Sequence, residues 1–317
     1  MMGPAAAVRA EDLFKTYPVE IRAVRGVSFS VDKGEAFGLL GPNGAGKTTT
    51  IGMLTTTVKP TSGSAFVGGH DVAGDPIGTR AVSSVVFQET VLDQPLTGRR
   101  NLKTHLKLWG VDPSVGARRI DELSAAVGLL DLLDRPVATY SGGQRRRLEI
   151  VRALLSAPAV LFLDEPTVGL DTRIRHDLFD VIGTLREKTG VTIIMTTHYL
   201  DEAERLCDRL AIIDKGVIVA CDSPRNLLAD VGDAVLEVRA DEPTRAFDAL
   251  RSAGLSDEDI LVIGQTVTAS LRTTPAHAAL AALDRLGPSV RSATTRRSTL
   301  DDVYLRLTGD RIGGTDN

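Results

Sequence analysis

The chain has 317 residues, 43% of them hydrophobic and 25% charged, a globular composition long enough for one large domain and a smaller one. Its formal net charge is −4, which argues against a general nucleic-acid binder, because such a domain needs a surplus of Lys and Arg to displace counterions from phosphates. The longest apolar runs, such as residues 191–195, fall far short of the roughly 20 residues of a spanning helix, so any membrane role is peripheral.

At the N-terminus three alanines are followed at once by Arg9, Glu11 and Asp12. That leaves no apolar core for a signal peptide, and the chain is expected in the cytoplasm. Residues 8–13 and 24–31 read as short strands that could form an antiparallel rim. Residues 35–40 are an apolar run that stops at Gly41, Pro42, Asn43 and Gly44, which predicts a buried strand, a glycine-rich turn and then a helix over about 46–54.

From about residue 92 to 157 the apolar positions recur at helical spacing: Leu102, Leu106 and Trp109, then Ile120, Leu123 and Val127, then Leu148, Val151 and Leu155. This is a helical insert. Residues 160–163 and 191–195 are strand-like, with a helix-like stretch at 172–188 between them. Strands alternating with helices predict a mostly parallel sheet covered on both faces.

Past residue 230, strand-like segments at 235–238, 260–263 and 267–271 and helix-like segments at 244–253 and 277–286 predict a small α+β domain over 231–309. A last helix covers 300–307, and the polar, glycine-rich tail at 310–317 is expected to be disordered. Cys207 and Cys221 have no partners at metal-ligand spacing and make no disulfide framework, which fits a reducing compartment. Both read as small buried or half-buried side chains. Arg145, Arg146 and Arg147 form one basic cluster and Arg296 with Arg297 another, each read as a solvated helix face or loop.

Three motifs carry chemistry. Gly41, Pro42, Asn43, Gly44, Ala45, Gly46, Lys47 and Thr48 match GxxxxGK followed by Ser or Thr, between a predicted strand and a predicted helix. Glycines let backbone N–H groups turn inward around a β-phosphate, and the helix N-terminus adds partial positive charge. Lys47 then reaches the β- and γ-phosphates of ATP, Thr48 offers its hydroxyl to Mg²⁺, and Thr49 belongs to the same cradle.

The strand at 160–163 ends in Asp164 and Glu165. Asp164 is placed to hold Mg²⁺, directly or through its water, and Glu165 to polarise a water for in-line attack on the γ-phosphate. Ser141, Gly142, Gly143 and Gln144 stand just before a helix that starts near Arg145, a second anion-binding helix start. On its own this would be a plain N-cap with a Gly-Gly hinge. A second cradle in a chain that already has one makes physical sense if it closes over nucleotide held by another subunit.

On these residues the chain resembles the nucleotide-binding subunit of ABC transporters, whose motifs occur here in the family's order over roughly the first 230 residues. The resemblance implies a P-loop NTPase of the ABC ATPase type over residues 5–230, with an antiparallel rim and a helical subdomain at about 90–157. It implies that Tyr17 stacks on adenine, that Gln88 is a hinge sensing Mg²⁺ and the attacking water, and that Asp171 belongs to the D-loop. It also implies that His198 is the switch histidine, bonding the γ-phosphate and holding Glu165 and the water in line. Each has a plainer reading: Tyr17 packing on the rim, Gln88 a surface amide, Asp171 a helix cap and His198 a core histidine. The three arginines after the signature stay open between helix solubility and contact with a partner.

Residues 298–309 look like the closing helix of the daunorubicin/doxorubicin-resistance type of drug exporter ATPase. That resemblance implies export of a drug, antibiotic or other hydrophobic compound through a separate membrane permease subunit. It places the chain on the inner face of the cell membrane, paired with a second nucleotide-binding subunit as a homodimer. Tyr140 stands where a leucine commonly precedes SGGQ, and Arg100 where the family often has Glu; both fall on the insert where a membrane partner would dock. The alternative is a soluble ATPase of the same class acting on nucleic acid or the ribosome. A single cassette without a heptad run disfavours it. A small-molecule kinase would leave SGGQ, Gln88 and His198 without a task.

Overall fold

The computed structural model describes residues 6–309. Strands β1 (Val8–Tyr17) and β2 (Ile21–Val31) pair antiparallel across a turn at Pro18–Glu20. Buried Val8, Ala10 and Leu13 among exposed neighbours are the pattern of a half-solvated sheet. Both strands outrun the expected 8–13 and 24–31, because the pairing continues to Tyr17 opposite Ile21, where no apolar alternation marks it.

Strand β3 (Ala36–Leu40) is buried at every position and leads through the glycine-rich loop into helix α1 (Lys47–Leu54). Strand β4 (Ser62–Val67) pairs with β1, and the two-residue β5 (His70–Asp71) pairs with β4, giving an outer four-stranded sheet. Helix α2 (Pro76–Val82), capped by Asp75, leads into β6 (Ser83–Val86).

The insert is three helices: α3 (Gly98–Leu108), α4 (Pro113–Ala126) and α5 (Gly142–Leu154), capped by Thr97, Asp112 and Ser141. Leu102, Leu106, Ile120, Leu123, Leu148 and Val151 meet in one core. Trp109 departs from its expected place, since it lies beyond the end of α3 and is 39% exposed.

The chain then alternates: β7 (Val160–Asp164), α6 (Thr172–Thr189), β8 (Thr192–Thr197), α7 (Leu200–Leu206), β9 (Arg209–Asp214) and β10 (Val217–Asp222). The six-stranded sheet runs β10-β9-β3-β8-β7-β6. Within it β9, β3, β8, β7 and β6 are parallel neighbours. All residues of β3, β7 and β8 are buried, as a parallel sheet covered on both faces requires. Register sets Leu40 beside Thr197 and Asp164 beside Thr196, so the ends of β3, β8 and β7 lie level.

The chain divides into two compact units, with the break between Val219 and Ala220. The second unit contains α8 (Pro224–Ala229), β11 (Ala234–Ala240), α9 (Pro243–Ser252), β12 (Ile260–Ile263), β13 (Thr266–Ser270), α10 (Ala276–Asp284), β14 (Val290–Arg297) and α11 (Leu300–Thr308). Its antiparallel sheet has the order β12-β13-β11-β14, and Ala246, Leu250, Ala279 and Leu283 of α9 and α10 close its core. The tail at 310–317 lies outside the described residues. Of the two cysteines, Cys207 is buried but Cys221 is exposed, contrary to its reading.

Candidate active site

The glycine-rich loop is shaped by close approach. A Cβ on Gly41 would stand 2.2 Å from the Ile213 carbonyl oxygen, and one on Gly46, at φ +104°, 2.4 Å from that of Ala23. No other residue fits there. Ala45 accepts a hydrogen bond from the Gly216 N–H (3.0 Å), which pins the loop to the turn after β9. Gly44, at φ +81°, has open space in front of it.

Lys47 opens α1 and is buried, its Nζ donating to the carbonyls of Gly41 (2.8 Å) and Pro42 (3.0 Å) and lying 3.4 Å from Glu165 Oε1. Burial pushes its ammonium below the usual lysine range, and the pull of Glu165 and Asp164 only partly offsets this. The Thr48 and Thr196 hydroxyls both donate to Asp164 Oδ1, at 3.2 and 2.5 Å. The next residue, Glu165, sits in the left-handed region at φ +44°, its N–H donating to Thr196 Oγ1 (3.0 Å). The Glu165 carboxylate lies 3.3 Å from His198 Nδ1, just past β8.

His198 is held from behind. Its ring packs at a tilt against Tyr199, centroids 4.0 Å apart, and the Arg175 guanidinium covers Tyr199 at 3.9 Å. The fully buried Glu202 accepts from the hydroxyls of Thr197 and Thr167.

A cleft of about 300 Å³ opens between β2 and α1, lined by Tyr17, Ile21, Asn43, Gly44, Lys47, Thr48 and Glu165, with Ala23, Gly46 and Thr49. Tyr17 is half-buried there, with Lys15 Nζ 5.0 Å above its ring. The fold thus brings Tyr17, the phosphate-loop residues and Glu165 to one cleft, with Asp164 and His198 beside it. Gln88 is exposed on the bend after β6 and outside the cleft. Asp171 is exposed and caps α6, accepting from the Ile174 N–H (3.0 Å). Ser141 and Gln144 cap α5 reciprocally, and Gly143 lets α5 approach α6, since a Cβ there would meet Ile174 Cγ2 at 2.5 Å. Ser141, Gly142, Gly143 and Gln144 also lie outside the cleft.

Two hard oxygen donors, Thr48 Oγ1 and Asp164 Oδ1, stand 3.2 Å apart beside the phosphate loop. Among the described residues no group of three His, Cys, Asp or Glu could hold a metal. The donor set therefore fits Mg²⁺ carried in with phosphate oxygens and water rather than a metal held by protein alone.

Sequence reasoning missed Thr196, which orients both Asp164 and Glu165; its signal is its place in the Thr196-Thr197-His198 run at the end of β8. It also missed Ile21 and Ala23, whose only signal was their nearness to Tyr17. Arg146 was misread as solvated: it is buried, because its guanidinium finds acceptors on three sides.

Taken together, the strand, loop, helix and paired carboxylates define an ATPase of the phosphate-loop class. Residues 24–168 match the family described as ABC transporter. The daunorubicin/doxorubicin resistance ATP-binding protein of Streptomyces peucetius is 40% identical, over 96% of this chain and 93% of that protein. The linearmycin resistance ATP-binding protein of Bacillus subtilis (strain 168) is 35% identical, over 95% of this chain and 98% of that protein. An ATP-binding cassette of an ABC transporter, solved in its ADP conformation, superposes with a TM-score of 0.64 at 27% identity, covering 72% of this chain and 94% of that one.

The chain belongs to the ABC transporter family, as one of its ATP-binding, ATP-hydrolysing subunits. Among the described residues no helix is long and apolar enough to cross a membrane.

Proposed function

We propose that the chain drives export of a drug or antibiotic by clasping ATP between two copies, and that a separate membrane subunit carries the cargo. The observation behind this reading is a separation within one chain. Lys47, Glu165 and His198 converge at one cleft, whereas the Ser141 helix start stands apart with its hydroxyl exposed. Two copies facing each other complete both sites.

In each site Lys47, Thr48, Thr49 and the loop N–H groups hold the β- and γ-phosphates, and Tyr17 stacks on the base. Thr48 and Asp164 would hold Mg²⁺, with Gln88 swinging in beside them, and the ion neutralises charge on the phosphate oxygens when bound. Glu165 takes a proton as water attacks the γ-phosphorus. The new P–O bond forms as the bond to the β,γ-bridging oxygen breaks, leaving ADP and inorganic phosphate. His198, backed by Tyr199 and Arg175, keeps Glu165 aimed. Ser141 and Gly143 of the other copy meet the γ-phosphate, while Gly142, Gln144 and Asp171 shape the facing surface. Loss of that phosphate releases the pair.

The membrane subunit docks in a groove of about 520 Å³ between the insert and the sheet, lined by Phe87, His105, Trp109 and Arg152 among others. Beneath its lining, His105 Nε2 and Arg152 Nε have no hydrogen-bond partner among the described residues. In this reading the chain works on the cytoplasmic face of the membrane.

Glu165→Gln keeps the carboxylate's shape but loses its base. The variant is expected to bind ATP and elute as a dimer in ATP on size exclusion, with turnover reduced at least ~100-fold. Near-normal turnover, or a strictly monomeric ATP-bound form, would refute the reading.

A further inference from the structure

The second arginine of the triplet after the signature is 7% exposed. From the second turn of α5, Arg146 Nη1 donates to Phe87 O (2.6 Å) and to Glu149 Oε2 (2.9 Å). Nε donates to Pro166 O (2.7 Å) and Nη2 to Asp164 O (3.3 Å). Glu149, 3% exposed, accepts from the Val91 N–H on its other oxygen (3.2 Å). The carbonyls of Asp164 and Pro166 flank Glu165. Phe87 O and Val91 N flank the bend that carries Gln88. One buried ion pair, on the helix that Ser141 caps, thus grips both loops on either side of their functional residue.

Stability alone does not call for such a pair. Desolvating two charges offsets most of their attraction, and well-packed apolar residues would serve as well or better. What an apolar pair cannot do is hold three carbonyls and an amide from two separate segments at once. The guanidinium fork does this, and a lysine cannot reproduce it.

We propose that Arg146 and Glu149 are positioning residues that tie the signature helix to Gln88 and Glu165 of the same chain. The start of α5 meets nucleotide bound by the other copy, so a displacement of that helix on engagement is handed to the local base and the local Gln88 loop. Each site is then set by the occupancy of its neighbour. This rests on the reading that Glu165 acts on the γ-phosphate and that Ser141 faces the other copy.

The test compares Arg146→Lys, Glu149→Gln and Glu165→Gln in the purified full-length chain, checked for native circular dichroism. Readouts are kcat for phosphate release and the Kd of a fluorescent ATP analogue. The expected result is a fall in kcat of about 10- to 100-fold in the first two variants, with Kd within about 3-fold, because misplacement of the reacting groups costs rate and not binding. If Arg146→Lys fails to fold, Glu149→Gln decides, since it keeps the shape and the acceptor for Val91. The inference is overturned if kcat in the folded variants stays within ~2-fold of wild type, or if kcat and affinity fall together. Turnover surviving in Glu165→Gln strikes the underlying reading instead.

Discussion

Two glycines of the phosphate loop look alike in sequence and differ in what holds them. At Gly46 both the dihedral (φ +104°) and the Ala23 carbonyl, 2.4 Å from a would-be Cβ, exclude a side chain; at Gly44 only the dihedral (φ +81°) does. Gly46→Ala should therefore cost about 2–5 kcal/mol of folding stability, from backbone strain plus overpacking. Gly44→Ala should cost about 1–2 kcal/mol, the left-handed penalty alone. Urea denaturation of the two variants measures the difference, and equal midpoints would remove the close approach as the reason for glycine. Glu165 carries the same left-handed strain without being glycine. Its geometry is imposed by its neighbours: Thr196 takes its N–H, and Arg146 holds the carbonyls on either side.

Helix α3 shows how an element can hide a titration. His105 lies in its last turn, where the helix dipole favours a charged imidazole. Burial instead, with repulsion from Arg152 second, pushes its pKa down to about 4. The sign follows from linkage: below about 6.5 the unfolded chain takes up a proton that the folded chain refuses until about pH 4, so stability falls as pH drops through that window. His105→Gln should remove this part of the pH dependence, so that the loss in urea midpoint between pH 7 and 5 is smaller than in wild type. An identical pH profile for the two proteins would show that His105 does not titrate in this range.

The same element illustrates what the sequence discloses. Leu102 and Leu106 announced a helix, and β3, β7 and β8 announced themselves by unbroken apolar runs, because residues buried on both sheet faces leave no polar gap. The strands at 62–67, 209–214 and 290–297 were missed. Strand β14 is a half-exposed edge whose half-buried positions fall three apart, and β4 begins with exposed Ser62 and Gly63, so its alternation is confined to its last four residues. Of the site, the phosphate loop and the Asp164-Glu165 pair were legible because their chemistry lies in contiguous residues. The Arg146–Glu149 pair was not, since its acceptors come from segments far apart in the chain.

At the scale of the molecule, each of the two units carries its own apolar core. In the second, Arg296 binds Asp302 through two bonds of 2.7 Å, while Asp302 also caps α11 through the Thr299 N–H. Burial alone would push the Asp302 carboxyl up, but the Arg296 and Thr299 bonds outweigh it and hold it below the usual range. Arg296→Met strands that carboxylate and should destabilise the second unit by about 3 kcal/mol. Amide exchange is expected to accelerate across residues 234–309 and to stay unchanged across 160–197. Uniform acceleration would mean that the two cores unfold as one.

The order β3-β8-β7 has a final bearing on how such a chain diversifies. Lysine loop, histidine and glutamate leave the tips of three adjacent parallel strands, so their points of attachment are spaced by the interstrand repeat of about 4.8 Å, a length fixed by peptide geometry. Substitutions in the rim, the insert or everything after the break leave that spacing untouched, because it belongs to the backbone and not to any side chain.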